Sequence, residues 1–218
     1  MKKLFGDNRV VMALYLLGAV GILIFDLYME DREAVIYVIL MPLFLLIPPV
    51  VERLFRIKLV PELARAIHIY AFLAFGLGVA ARLYRYTQWY DKFVHFLAGY
   101  FFAIVGMAIY YYLKKEKIME PDKEAPVVMW FSAATSMMIG VAWEICEYMD
   151  SLIFKTDPQH VLDTGIHDTM QDLLACALGA AVAIVFIYFY YKRTVKGPLL
   201  KTFESFFKAN ISTLESVD

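Results

Sequence analysis

Cysteine is nearly absent from the chain, with two in 218 residues. Both, Cys146 and Cys176, fall within apolar runs and read as inert core thiols, so they carry no information on redox compartment. Net charge is missing as well: 21 Lys and Arg stand against 22 Asp and Glu. No basic stripe interleaved with aromatics occurs outside the loops, so no nucleic acid partner is expected. No small-x-small cleavage site precedes the acidic cluster Glu30, Asp31 and Glu33, and the first apolar run is too long for a signal peptide. No repeat relates the two halves of the chain, which counts against an inverted-repeat transporter.

Charge is also absent from long stretches. The chain is 61% hydrophobic and 16% aromatic, yet its 20% of charged residues are gathered into short clusters. A run of about 18 or more apolar residues spans a bilayer core of roughly 30 Å. Six such runs occur, at Val10–Met29, Ala34–Val51, Leu63–Leu83, Phe93–Leu113, Pro126–Tyr148 and Asp168–Tyr191. Pro42, Pro48 and Pro49 are expected to kink or end the second, because proline removes a helix donor. The pattern predicts an all-α, polytopic integral membrane protein. Residues 1–191 form one bundle of about six transmembrane helices, and 192–218 form a cytoplasmic tail. Apolar residues at Leu199, Leu200, Phe203, Phe206, Phe207, Ile211 and Leu214 make that tail an amphipathic helix, suited to a membrane surface or a partner. The Asn210-Ile-Ser sequon within it is discounted as cytoplasmic.

Orientation follows from the basic residues. Of the 21, only Arg32, Arg82, Arg85, Lys92 and Lys155 fall in alternate non-membrane stretches; the other sixteen share the opposite side. The positive-inside rule then places both termini in the cytoplasm of a multi-pass cell-membrane protein.

That orientation gathers an unusual set of polar residues at the outer face. Asp91 and His95 open the fourth run, Glu144 and Glu147 close the fifth, and Asp168 and Asp172 open the sixth. Spacings of three and four put each pair on one helix face. Asp91, Glu147 and Asp168 are expected near the interface, with His95, Glu144 and Asp172 about 5–6 Å deeper by helix pitch. Below them run three small-residue stripes: Gly99, Ala103 and Gly106; Gly140, Ser136 and Ser132; and Ala175, Gly179 and Ala183. Small residues mark close helix approach in membranes, so the stripes are expected to face one another and bring the pairs together. Capping explains Asp91 and Asp168 alone equally well. It does not serve Glu144 and Glu147, read here as lying at a helix C-terminus, nor His95 and Asp172 one turn inside.

A carboxylate within the membrane costs about 2.5–3.5 kcal/mol on insertion scales, so several together call for positive charge. A divalent metal, shared protons, or the basic groups Arg82, Arg85 and Lys92 are the candidates. The ligand count favours a metal held by Asp91, His95, Glu144, Glu147, Asp168 and Asp172. Zn²⁺, Mn²⁺ and Fe²⁺ suit His with carboxylates, and Mg²⁺ or Ca²⁺ suit oxygen ligands. Arg82 and Arg85 read either as interface anchors or as a clamp for a substrate anion. Asp26 joins the site or caps its helix. His68 reads as a packing histidine, and His160, Asp163 and His167 as a solvated loop. Gly18 and Gly21 on the first helix leave room for a homo-oligomer.

The order "YDKFVHFLAGYFFA", "WEICEYMD", "DTMQDLLACALGA" resembles the YjdF-like family of small membrane proteins and is more distantly similar to the VanZ-like family. On that motif Asp91, His95, Glu144, Glu147, Asp168, Thr169, Asp172, Gly179 and Ala180 correspond, over about residues 89–183. VanZ-like proteins are linked to glycopeptide resistance, so the resemblance implies a role at the outer surface near envelope lipids.

Three function classes remain. The first is a metal-dependent membrane enzyme acting on a lipid or lipid-linked phosphate, with Glu144 or Glu147 as catalytic base. The second is an ion- or proton-coupled transporter, and the third a non-enzymatic envelope binding or assembly protein.

Overall fold

The computed structural model describes residues 8–114, 121–192 and 198–210, with backbone alone at 121–122 and 198–201. Lys2, Lys3, Lys115, Lys117, Arg193 and Lys196 of the charge count lie outside that set, as do Ile211 and Leu214 of the tail stripe. Among the described residues every regular element is helical and none is a strand. Six segments are long and apolar enough to cross a membrane: Arg9–Tyr28, Arg32–Phe55, Pro61–Ala80, Gln88–Lys114, Lys123–Phe154 and His167–Tyr191. The chain is an all-α polytopic membrane protein. It divides into two compact units, Met1–Tyr90 with Lys201–Asp218, and Asp91–Leu200.

In the first unit, α1 (Arg9–Tyr28) is followed by α2 (Arg32–Leu40), whose N-cap is Asp31. The Asp31 carboxylate accepts the Ala34 N–H at 3.0 Å, satisfying a donor that the first helical turn leaves open. Pro42 then tightens the chain into a 3₁₀ stretch, Met41–Leu46, before α3 (Ile47–Phe55) resumes with Pro48 in its first turn. The prolines therefore change the helix type within the second span without ending it, and α3 stops at Arg56 in the left-handed region. The third span starts as α4 (Pro61–Ala71) and widens into a nine-residue π-helix, Phe72–Ala80. A short α5 (Leu83–Tyr86) follows.

Tyr15, Ala19, Ile22, Val38, Met41, Leu45, Ala71 and Ala80 form the core of this unit. Irregular backbone at membrane depth must find its partners within the protein. Accordingly the Tyr15 hydroxyl donates to the Met41 carbonyl at 3.0 Å, and the Tyr90 hydroxyl to the Leu73 carbonyl at 2.9 Å. His68 is buried beside the Leu45 carbonyl, 3.4 Å from Nε2, while its Nδ1 has no hydrogen-bond partner. A Cβ at Gly18 would lie 2.5 Å from the Phe72 ring, whereas Gly21 has open space around it.

The tail helix, α10 (Pro198–Asn210), is present, but its apolar stripe is partly used by the chain itself. Phe203 and Phe206 are buried. Asn210 clasps the backbone of Lys58, accepting its N–H at 2.6 Å and donating to its carbonyl at 2.9 Å.

The second unit holds α6 (Gln88–Lys114) from Asp91 onwards, α7 (Pro121–Phe154), the short α8 (Val161–Thr164) and α9 (His167–Tyr191). The small-residue stripes are where these helices meet. A side chain at Gly99 would collide with the Cys176 carbonyl, and one at Gly179 with the Phe96 carbonyl. At Gly106 a Cβ would lie 2.9 Å from Ser132 Cα, and at Gly140 2.9 Å from Cys176 Sγ. Lipid offers no hydrophobic drive for helices to associate, so close backbone approach and polar contacts between helices carry the packing. The Ser136 hydroxyl supplies one such contact, donating to the Gly99 carbonyl at 2.8 Å. Towards the other end of the unit the hydroxyls of Tyr111 and Tyr191 bond, and Lys114 pairs with Glu124.

Two expectations are corrected here. Helix α7 runs seven residues past Glu147 to Phe154, so Glu144 and Glu147 do not lie at a helix C-terminus. Cys176 is buried but Cys146 is exposed, because it sits on the opposite side of α7 from Gly140 and Glu144.

Candidate functional site

Helices α6, α7 and α9 bring their polar pairs to one end of the second unit. From α6, Asp91 Oδ1 lies 3.6 Å from His95 Nε2, the pair separated by one helical turn. From α7, Glu144 Oε1 lies 3.9 Å from the same His95 nitrogen. From α9 comes Asp172, and one ligand atom each from Asp91, His95 and Asp172 falls within 4.8 Å of the others. His95, Glu144 and Asp172 are buried, and Asp91 and Glu147 are partly exposed. Asp168 is buried too, although it is the first acid of α9.

The centre of the cluster is Lys92. Its Nζ donates to Asp168 Oδ1 at 2.5 Å, to Asp172 Oδ2 at 3.0 Å and to Asp91 Oδ2 at 3.2 Å. It also approaches Asp172 Oδ1 to 2.8 Å, an ion-pair contact outside hydrogen-bond geometry. In the sequence Lys92 is one of three basic candidates, with Arg82 and Arg85, and nothing there distinguishes it from them. Neighbouring residues on a helix do not share a face. The four-carbon stem of lysine overcomes this by swinging the ammonium around the helix end.

Gln159, in the loop between α7 and α8, escaped sequence analysis altogether. Its side-chain amide donates to Glu144 Oε2 at 3.0 Å and to the Glu144 backbone carbonyl at 3.2 Å. Only one carboxylate oxygen of Glu144 is served in this way. Glu144 Oε1 is buried without a hydrogen-bond partner, on a residue only 5% exposed. Nothing in the local sequence marks a lone loop glutamine as a support for an acid fifteen residues earlier.

Glu147 turns to the Trp143 indole, which donates to it at 2.8 Å. His160 begins α8 in the left-handed region, and Asp163 and His167 are exposed, in the manner of a solvated loop.

Arg82 and Arg85 belong to the first unit. Arg82 grips Asp31 with two nitrogens, at 2.8 and 3.1 Å, and reaches Glu33 at 3.3 Å. This fork-on-fork pairing is the geometry in which a guanidinium holds a carboxylate most firmly. It keeps the Asp31 carboxyl below the usual aspartate range, helped by the Ala34 N–H, and raises Arg82 in turn. Arg85 is exposed. Asp26, in the same unit, is buried with one oxygen unpartnered, and its backbone carbonyl accepts the Asp31 N–H at 3.0 Å.

The geometry can be tested against a metal. Ligand atoms around a tetrahedral ion with bonds of about 2.1 Å stand about 3.4 Å apart. The separations of 3.6 and 3.9 Å around His95 Nε2, and of up to 4.8 Å within the Asp91, His95 and Asp172 group, lie beyond that, so the side chains have to draw together to close on an ion. Two carboxylates, an imidazole and an unserved buried carboxylate oxygen make a donor set of the kind that Zn²⁺ or Mn²⁺ accepts.

Comparison with known proteins gives one family. The model described as "Predicted membrane protein (DUF2238)" matches residues 9–193. No curated protein matches the chain, and no solved structure does.

Proposed function

The chain belongs to this DUF2238 family of membrane proteins, the YjdF-like family, and we propose that it carries a divalent-cation site from which it acts on a lipid or lipid-linked phosphate. The observation that carries this reading is the buried, unpartnered Glu144 Oε1 beside the Asp91, His95 and Asp172 group. An acid oxygen held away from water with no donor is costly, and a cation removes that cost. Charge balance supports the same reading: among the described residues, Lys92 is the basic side chain that pairs with Asp91, Asp168 and Asp172, and His95 lies beside Asp91 and Glu144.

A cation bound there would supply Lewis acidity at a phosphoryl oxygen and a more acidic bound water. The residues divide the remaining work. Asp91, His95 and Asp172 hold the ion, with Glu144 as a further ligand steadied by Gln159. Glu147, partly exposed beside Trp143, is placed to take a proton as general base. The polar end of three apolar helices suits a substrate that keeps its chain in lipid and brings its headgroup to the interface. On this reading the site faces the envelope side of a cell membrane, with both termini in the cytoplasm as the distribution of basic residues suggests.

The test is turnover in liposomes containing phosphatidic acid or a polyprenyl phosphate. Headgroup hydrolysis or transfer that stops with a chelator and is lost in Glu147→Gln supports the reading; its absence in metal-loaded protein contradicts it.

One observation favours a second reading. An ammonium shared among three carboxylates also fits an ion- or proton-coupled transporter, because paired ionisable groups within a membrane mark ion pathways and proton relays. Flux driven by a pH gradient across liposomes, insensitive to chelators, would select that reading.

A further inference from the structure

We propose that Lys92 is a tethered counter-ion for the cation site, lodged among its ligands and obliged to withdraw before a divalent ion can bind. The inference rests on the cation reading given above and adds to it what sets the affinity of the site.

Two of the three residues that converge as ligands, Asp91 and Asp172, are already engaged by the Lys92 ammonium, at 3.2 Å and at 2.8 and 3.0 Å. An ammonium and a divalent ion cannot both lie on the Asp172 carboxylate without strong mutual repulsion, since so short a separation in a poorly screened site leaves the charges nearly bare. One must go. The Asp172 side chain is 2% exposed and fixed on α9, whereas the Lys92 side chain is 21% exposed and ends a flexible stem. Lysine is therefore the group that moves. The third ammonium contact, Asp168 at 2.5 Å, lies outside the ligand group and gives the side chain a carboxylate to keep on its way out. Among the described residues Lys92 pairs with Asp91, Asp168 and Asp172, while His95 and Glu144 approach each other at 3.9 Å and do not have to lose the ammonium to meet an ion. In the ion-free chain the tethered charge relieves repulsion among the acids. A bound ion then has to compete with it.

Titration of the purified full chain with Mn²⁺ and with Zn²⁺, followed by calorimetry, tests this. Lys92→Gln and Lys92→Met remove the competitor and are expected to bind about tenfold tighter or more, a difference of about 1.4 kcal/mol per decade. Lys92→Arg keeps the charge and is expected to bind no tighter than wild type. Gel filtration and thermal unfolding establish that each variant is folded. Folded neutral variants with wild-type or weaker affinity would overturn the counter-ion role and leave the cation site standing. No binding of either ion by wild type or variants would overturn both. A second readout needs wild type alone: acylation of Lys92 by an amine reagent, followed by mass spectrometry, is expected to rise several-fold on adding Zn²⁺. Unchanged acylation in Zn²⁺-loaded protein would contradict the withdrawal of the side chain.

Discussion

Gly179 on α9 faces the carbonyl of Phe96 on α6 with no room between them for a methyl group. Gly99 stands in the same relation to Cys176 one turn away, so the two helices touch backbone to backbone directly beneath His95 and Asp172. Gly99→Ala and Gly179→Ala are each expected to lower stability by about 1–3 kcal/mol, the usual cost of overpacking a close contact. Gly21→Ala, with open space around it, is the control and should change stability by less than about 0.5 kcal/mol. Unfolding in detergent micelles measures all three.

The Asp31–Arg82 pair gives a pH dependence with a definite sign. The Asp31 carboxyl is lowered in the folded chain, chiefly by its hydrogen bonds to Arg82. A lowered carboxyl adds stability above its unfolded value of about 3.9, and that stability is lost as pH falls through the folded value. Asp31→Asn keeps a capping oxygen for Ala34 but removes the charge. The variant should be less stable than wild type at pH 5 to 7, by about 1 kcal/mol or less for a pair that is partly exposed. The difference should shrink towards zero below about pH 4. A constant difference down to pH 2 would mean that the charge is not what matters.

Gln159 serves Glu144 from the loop, so its removal should be felt at the site without touching a ligand. Outer partners of metal ligands typically contribute 10–100-fold in affinity. Gln159→Ala is expected to weaken Mn²⁺ or Zn²⁺ binding by about tenfold while leaving α6 and α9 intact. Equal affinity in the variant would exclude Glu144 from the ligand set.

Asn210 ties the tail helix to the turn after α3 through the Lys58 backbone. Asn210→Ala removes three hydrogen bonds, two to the Lys58 backbone and one to the Phe206 carbonyl, worth about 1 kcal/mol each. Amide exchange at Lys58 should accelerate several-fold in the variant, with exchange in α6 and α9 unchanged. The outcome separates a helix docked on its own chain from one held only by lipid.

Much of this is legible in the residues. Helix spans follow from apolar run length, and the three polar pairs and the small-residue stripes follow from the 3.6-residue period, which the backbone obeys throughout the second unit. Three features lie beyond that period. Lys92 reaches the site by side-chain length, against the face its position assigns it. Gln159 comes from a loop, where no periodicity places a side chain. Arg82 finds Asp31 across 51 residues because the π-helix ends the third span and leaves Arg82 in the left-handed region, a turn for which the sequence carries no punctuation. The length of α7 was also hidden, because Asp150 and Ser151 interrupt the apolar run without breaking the helix.

Elemental analysis tests the central claim most directly. Wild-type protein, His95→Ala and Asp172→Asn are each equilibrated with Zn²⁺ or Mn²⁺ and freed of excess ion. The account predicts one divalent ion per wild-type chain and a sharp loss in both variants. Equal and near-zero metal in all three, from folded protein, would contradict it.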